Sequence, residues 1–196
     1  NGWYKGKLGF MPQPNNYGDT TAALAVLCIT YADGHEEWLG TDESWLCTTG
    51  AVQFSEIYDG ETQDFTAAPA ELQPAKLFDY GFDTIIGQEN EPVRCLQKLP
   101  VVKDFTTPKG EKVYDFGQNL TGWVEVEIYG EPGQKLTLRH AESLDENGNF
   151  YTENLSWAKA TDTYILSGGK QILHPHFTWH GFRYLCVEGL QYGQNV

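Results

Sequence analysis

Between Gly122 and Gly130 the chain reads GWVEVEIYG, a strict alternation. An extended backbone puts Val124, Val126 and Ile128 on one side and Trp123, Glu125, Glu127 and Tyr129 on the other. Only a half-buried strand suits that period, because a helix would scatter both sets around its circumference. QKLTLRHAE repeats the pattern with Leu136, Leu138 and His140 on one side, and the EPGQ between the two runs is a turn built on Pro132 and Gly133. ATDTYILSGG, KQILHPHF and HGFRYLCVEGL read as further strands with glycine-rich joints, and Leu144 to Ala160 alone reads as loop or weak helix. The expected class is all-β and antiparallel.

The earlier half carries the same signals less cleanly. TTAALAVLCITYADGHEEWLGTDESWLC holds an apolar run from Ala22 to Ile29, a turn at Asp33-Gly34, and short runs at Glu37 to Leu39 and Ser44 to Cys47. The β-branched and aromatic residues at Cys28-Ile29-Thr30-Tyr31 favour a meander over a buried helix. TAAPAELQPAK, with Pro69 and Pro74, is poor in strand formers and is the candidate linker, so the expected units are residues 1–74 and 75–196. Net charge is −9 in the first and −5 in the second, and the total of −14 disfavours nucleic acid and anionic membrane surfaces as partners. No run of about 18 apolar residues offers a membrane span. The four cysteines form no CxxC pair and read as mostly buried thiols. NGWYKGKLGF has no apolar signal-peptide core and no initial Met, the pattern of a chain processed or excised from something longer. Cytoplasm, periplasm and exterior all fit these features as its location.

Several clusters invite a chemical reading. Asp115-Phe116-Gly117 is the magnesium-binding tripeptide of protein kinases, but the phosphate loop, strand lysine and HRD loop are missing, which leaves a sheet corner with Asp115, Gln118 or Asn119 bonding turn amides. His174, His176 and His180 occupy alternate positions, so a regular strand would align three imidazoles for a metal; Pro175 invites a bend, no fourth ligand is marked, and no residue is assigned to metal. DENGN at Asp145 to Asn149 lacks the Gly and Glu of a calcium hand and reads as a hairpin tip at Asn147-Gly148. Glu142 with Asp145 or Glu146 is the nominal glycosidase pair, on a chain too acidic for proximity in sequence to count. Trp3, Tyr4, Asn15, Asn16 and Asp19, with Tyr17, combine flat rings with amides and a carboxylate, the groups that bind sugars directly or through calcium. Ordinary packing aromatics in a loop are the competing account of that stretch.

Put together, NGWYKGKLGF, YADG, TDESW and IYDGET, followed by VYDFGQNLTGW, HAESLDENGNFYTENL, ATDTYILSGG and FTWHGFRYLCVEG, resemble the β-domains that precede the catalytic barrel in bacterial α-L-rhamnosidases of glycoside hydrolase family 78. The resemblance implies an antiparallel β-sandwich, jelly-roll or concanavalin-like, over residues 75–196, with a partial second β-module over residues 1–74. It implies a parent that hydrolyses terminal α-L-rhamnosyl bonds with inversion, through carboxylates on an (α/α)6 barrel that follows. On this reading no catalytic residue lies here, and the chain is scaffold and packing surface for the downstream catalytic domain of the same polypeptide. Rhamnosylated glycans are the other expected partner. The alternative is an autonomous rhamnose-binding module that holds sugar at Trp3, Tyr4, Asn15, Asn16 and Asp19, with calcium the one cofactor left open. Half a jelly roll exposes unpaired edges, so its leading strands are expected to pair with the sandwich or another chain, or to be poorly ordered.

Overall fold

The computed structural model describes residues 4–9, 11, 13–83 and 85–194, so the candidate ring Trp3 lies outside the described residues. The first half contains β1 (Val26–Thr30), β2 (Glu36–Gly40), β3 (Leu46–Cys47), β4 (Val52–Glu56), β5 (Gly60–Asp64) and β6 (Gln73–Pro74). Regular structure then stops until β7 (Lys103–Thr106), β8 (Lys112–Gly122), β9 (Val126–Gly130) and β10 (Lys135–Ala141). Short β11 (Ser143–Leu144) and β12 (Phe150–Tyr151) flank the DENGN tip, and β13 (Thr161–Ile165), β14 (Gly169–Leu173) and β15 (His180–Glu188) complete the chain. The weakly helical stretch amounts to a single 3-10 turn at Glu153–Leu155.

Seven strands form one sheet in the order β4-β5-β13-β10-β15-β8-β7, and β9 pairs with β14 in a second layer. The expected alternation is met: Val124, Val126 and Ile128 are buried with Leu136, Leu138, Leu166, Leu173, Phe182 and Leu185 between the layers, while Tyr129 faces water. Each fully buried aliphatic side chain there contributes ~1.5–3 kcal/mol relative to exposure. The other face of the large sheet buries a smaller cluster of Val113, Ala141, Phe150 and Cys186.

All but one of the ladders in the large sheet are antiparallel. β5 runs parallel to β13, with Thr62 opposite Thr163 and Asp64 opposite Ile165, so β4 and β5 of the first half join the sandwich while β1 to β3 do not. The entry to β5 requires Gly60, whose φ is 106° and whose missing Cβ would collide with the Thr161 carbonyl. β1 and β2 form a separate antiparallel hairpin turned at Gly34, and β6, drawn from the candidate linker, pairs back to β3. The cysteine expectation is corrected: Cys28, Cys47 and Cys95 are exposed and only Cys186 is buried, because the first three lie in or beyond strands that nothing covers on either face.

Candidate functional site

The polar groups that converge deepest in the molecule lie where β5 meets β13. Glu56, Asp59, Glu61 and Asp162 are all nearly inaccessible, and on a chain this acidic such burial demands partners. Glu56 supplies them through its carboxylate, which accepts the backbone N–H groups of Lys7 at 2.7 Å, Tyr58 at 2.9 Å and Asp59 at 3.0 Å. Asp59 is paired with Lys7 Nζ at 2.5 Å and Lys159 Nζ at 3.6 Å. Glu61 accepts the amides of His176 at 2.9 Å and Phe177 at 3.0 Å, and the side-chain amide of Gln63 at 2.6 Å. These carboxylates hold turns together across the seam, and Asp59 also borders a pocket with Phe54, Thr62 and Lys159.

Asp162, His140 and His180 differ from that pattern. Asp162 Oδ1 accepts the Glu61 N–H at 2.9 Å, and His180 Nε2 lies 3.3 and 3.2 Å from the two Asp162 oxygens. His140 donates its Nδ1 proton to the Ala160 carbonyl at 2.8 Å, which leaves Nε2 as a lone pair 4.0 Å from Asp162 Oδ2 with no hydrogen-bond partner. The two imidazoles stack with centroids 4.1 Å apart. Burial, then the neighbouring His180, pulls the His140 pKa down to about 3, so it is neutral. Tyr164, two residues beyond Asp162, also has an unpartnered buried hydroxyl, and burial beside Asp162 and Glu61 keeps it protonated. His180 lines an open pocket of about 210 Å³ that also includes Tyr58, Glu142 and Trp179.

His174, His176 and His180 do not align, in keeping with the bend that Pro175 invites. β14 ends at Leu173 and β15 begins at His180, and the segment between turns its amides toward Glu61, so His176 meets Gln63 and Glu61 while His180 enters the core. His140 and Asp162 escape a reading by spacing because they come from other strands. Their signal was phase: each occupies an inward position of an alternating strand where an apolar residue is the rule.

Asp115 is the expected corner, though β8 continues through it. Residues 116–119 bulge opposite Arg183 alone, and Asp115 binds the Gly117 N–H at 2.7 Å and the Arg183 guanidinium in a fork at 2.8 and 2.9 Å. Asp145 is consumed by the amides of its own hairpin, Asn147 and Asn149. Glu142 accepts from Asn119 at 3.2 Å and Asn154 at 3.3 Å.

The nominated sugar residues are only partly gathered. The Tyr4 hydroxyl packs on Gly18 and shares a hydrogen bond with Tyr80, near Asp19. Asn16 spends its amide on the Leu8 and Gln13 carbonyls, both at 3.1 Å, and Asn15 takes a left-handed φ of 65° in the same loop.

Comparison with known proteins divides the chain between residues 97 and 105. The α-L-rhamnosidase N-terminal domain family matches residues 1–97, and the bacterial α-L-rhamnosidase concanavalin-like domain family matches residues 105–195. An α-L-rhamnosidase of Streptomyces avermitilis is 39% identical over 96% of this chain and 19% of its own length, and one of an Alteromonas species is 32% identical over 96% and 22%. The chain therefore spans about a fifth of the length of these curated relatives. Among solved structures, native α-L-rhamnosidase from Aspergillus terreus superposes with a TM-score of 0.88 at 34% identity, covering all of this chain and 24% of that one. The Streptomyces avermitilis α-L-rhamnosidase complexed with L-rhamnose superposes at 0.83 with 35% identity, over 97% of this chain and 20% of that one. With the two domain families meeting end to end along it, the chain belongs to the α-L-rhamnosidase family as its N-terminal and concanavalin-like portion.

Proposed function

We propose that this chain is the accessory β-portion of an α-L-rhamnosidase, acting as scaffold and packing surface while other parts of the polypeptide carry the hydrolytic carboxylates. The supporting observation is apolar surface exposed on both faces of one element. In the β1–β2 hairpin Val26, Leu27, Trp38 and Leu39 are 57%, 57%, 64% and 48% exposed, so neighbouring residues that point oppositely are uncovered alike. Phe82, Ile86, Val93 and Leu96 extend such surface through the stretch between β6 and β7. Apolar area on that scale marks a face that another surface covers. On this reading residues 1–74 close the N-terminal module and residues 75–196 form the concanavalin-like unit, with β4 and β5 crossing into its sheet. Amide hydrogen exchange on this chain alone and within the longer polypeptide tests it. Val26 to Gly40 is expected to gain protection only in the longer form, and equal exchange in both would overturn the packing role.

The contact of Tyr4 with Tyr80 and Gly18 beside Asp19 favours a second reading, an autonomous rhamnose module that uses calcium. Titrating L-rhamnose with calcium and again with a chelator separates the two. Amide shifts confined to the loop around Tyr4 to Asp19, and present only with calcium, would establish the module, and an unmoved spectrum would leave the scaffold role.

A further inference from the structure

The cluster of His140, Asp162 and His180 has no part in either functional reading. Among the described residues it is the group of His, Cys, Asp or Glu side chains whose ligand atoms converge, all within 4.8 Å of one another. From the geometry of these side chains we infer that His140 Nε2, His180 Nε2 and Asp162 Oδ2 form a binding site for a divalent first-row metal ion of the zinc class.

Three observations carry the assignment. The first is the orphaned lone pair of His140, fully buried and directed toward a carboxylate, where two electron-rich atoms face each other at 4.0 Å with nothing positive between them. A buried acceptor left this way costs ~1–3 kcal/mol, and a cation shared by both atoms removes the cost. The second is how the ligands are held from behind. His140 Nδ1–H is committed to the Ala160 carbonyl and Asp162 Oδ1 to the Glu61 N–H, so His140 Nε2 is left free and Asp162 Oδ2 is met by His180 Nε2, itself a proposed ligand. Metal-binding imidazoles are typically oriented by such a bond from the far nitrogen. The third is donor chemistry and access. Two imidazoles and a carboxylate suit zinc, with a fourth position for water, and the pocket lined by His180 supplies an entry path. Tetrahedral bonds of about 2.0–2.2 Å hold ligand atoms about 3.4 Å apart, so the atoms, now within 4.8 Å, must draw together and the two stacked imidazole rings must turn to aim both Nε2 lone pairs at one ion. Binding requires His180 Nε2 to present its lone pair, so the proton that now faces Asp162 leaves Nε2 and the ring takes one up at Nδ1, keeping a neutral imidazole as the ligand.

The proposal is independent of whether the chain is scaffold or sugar module, and its test reads neither activity nor sugar binding. Chelator-stripped protein would be titrated with zinc, following metal content and the ring-nitrogen resonances of 15N-labelled histidines. Uptake of about one ion, with shifts at His140 Nε2 and His180 Nε2, is expected. Uptake should be lost in Asp162→Asn and kept in His176→Ala, whose imidazole lies outside the cluster. Should Asp162→Asn not fold, the ring-nitrogen shifts of the unaltered protein decide alone. Unmoved His140 and His180 nitrogens, whether zinc stays free or binds elsewhere, would overturn the site and leave the lone pair to an internal water.

Discussion

Asp115 shows how far one residue can be read from its neighbours in sequence and where that stops. Its place before Gly117, whose φ of 79° suits glycine, was legible as a corner. Its fork to Arg183, 68 positions away, was not, because no local pattern carries a partner at that distance. The Arg183 bond, reinforced by the Gly117 amide, lowers the Asp115 pKa. A lowered carboxyl contributes stability that is fully present above the unfolded value, about 3.9, and is lost as pH falls through the folded value beneath it. Asp115→Ala is therefore expected to cost about 1–2 kcal/mol at neutral pH, moderated by the part exposure of Arg183. Urea unfolding of both proteins should show the gap closing in acid, and a gap constant with pH would mean the ion pair contributes nothing. The histidine triplet taught the reverse lesson. Its spacing was clear, but alternation predicts a shared face only while the backbone stays extended, and the amides drawn to Glu61 bend it.

At the scale of elements, period-2 alternation was the most dependable signal, since the same apolar contacts that make a strand also orient it. β9 shows this in adjacent residues, Ile128 buried and Tyr129 exposed. Ile128→Ala is expected to destabilise by ~2–5 kcal/mol, whereas Tyr129→Ala should stay within about 0.5 kcal/mol, as thermal or urea melts would show. Comparable losses would mean that β9 does not pack as described. β1 to β3 were harder to place because they lack a covered face, so their apolar residues do not alternate with any inside. The linker reading met the same obstacle: Gln73 and Pro74 pair with β3 although their composition is that of a connector, since a short bridge needs only two backbone amides and carbonyls in reach.

For the whole molecule, the pairing of β5 with β13 joins segments about a hundred residues apart, and no property of either strand announces it. The bonds from Glu61 to Asp162, His176 and Phe177 cross the same seam. Cleavage within the exposed stretch between Pro74 and Lys103 is accordingly expected to leave both pieces associated. They should co-elute on size exclusion after limited proteolysis and separate only in denaturant. Immediate separation would show the seam to be weak. The two family matches change over between residues 97 and 105, yet the sheet of the second is completed by strands from the first. A genetic crossover at that junction would hand each descendant an incomplete sheet, one with a bare β13 edge and the other with strands seeking a host. Recombination can therefore move this pair only as a single cassette, and a protein engineer swapping modules should keep β4 and β5 with the sheet they complete.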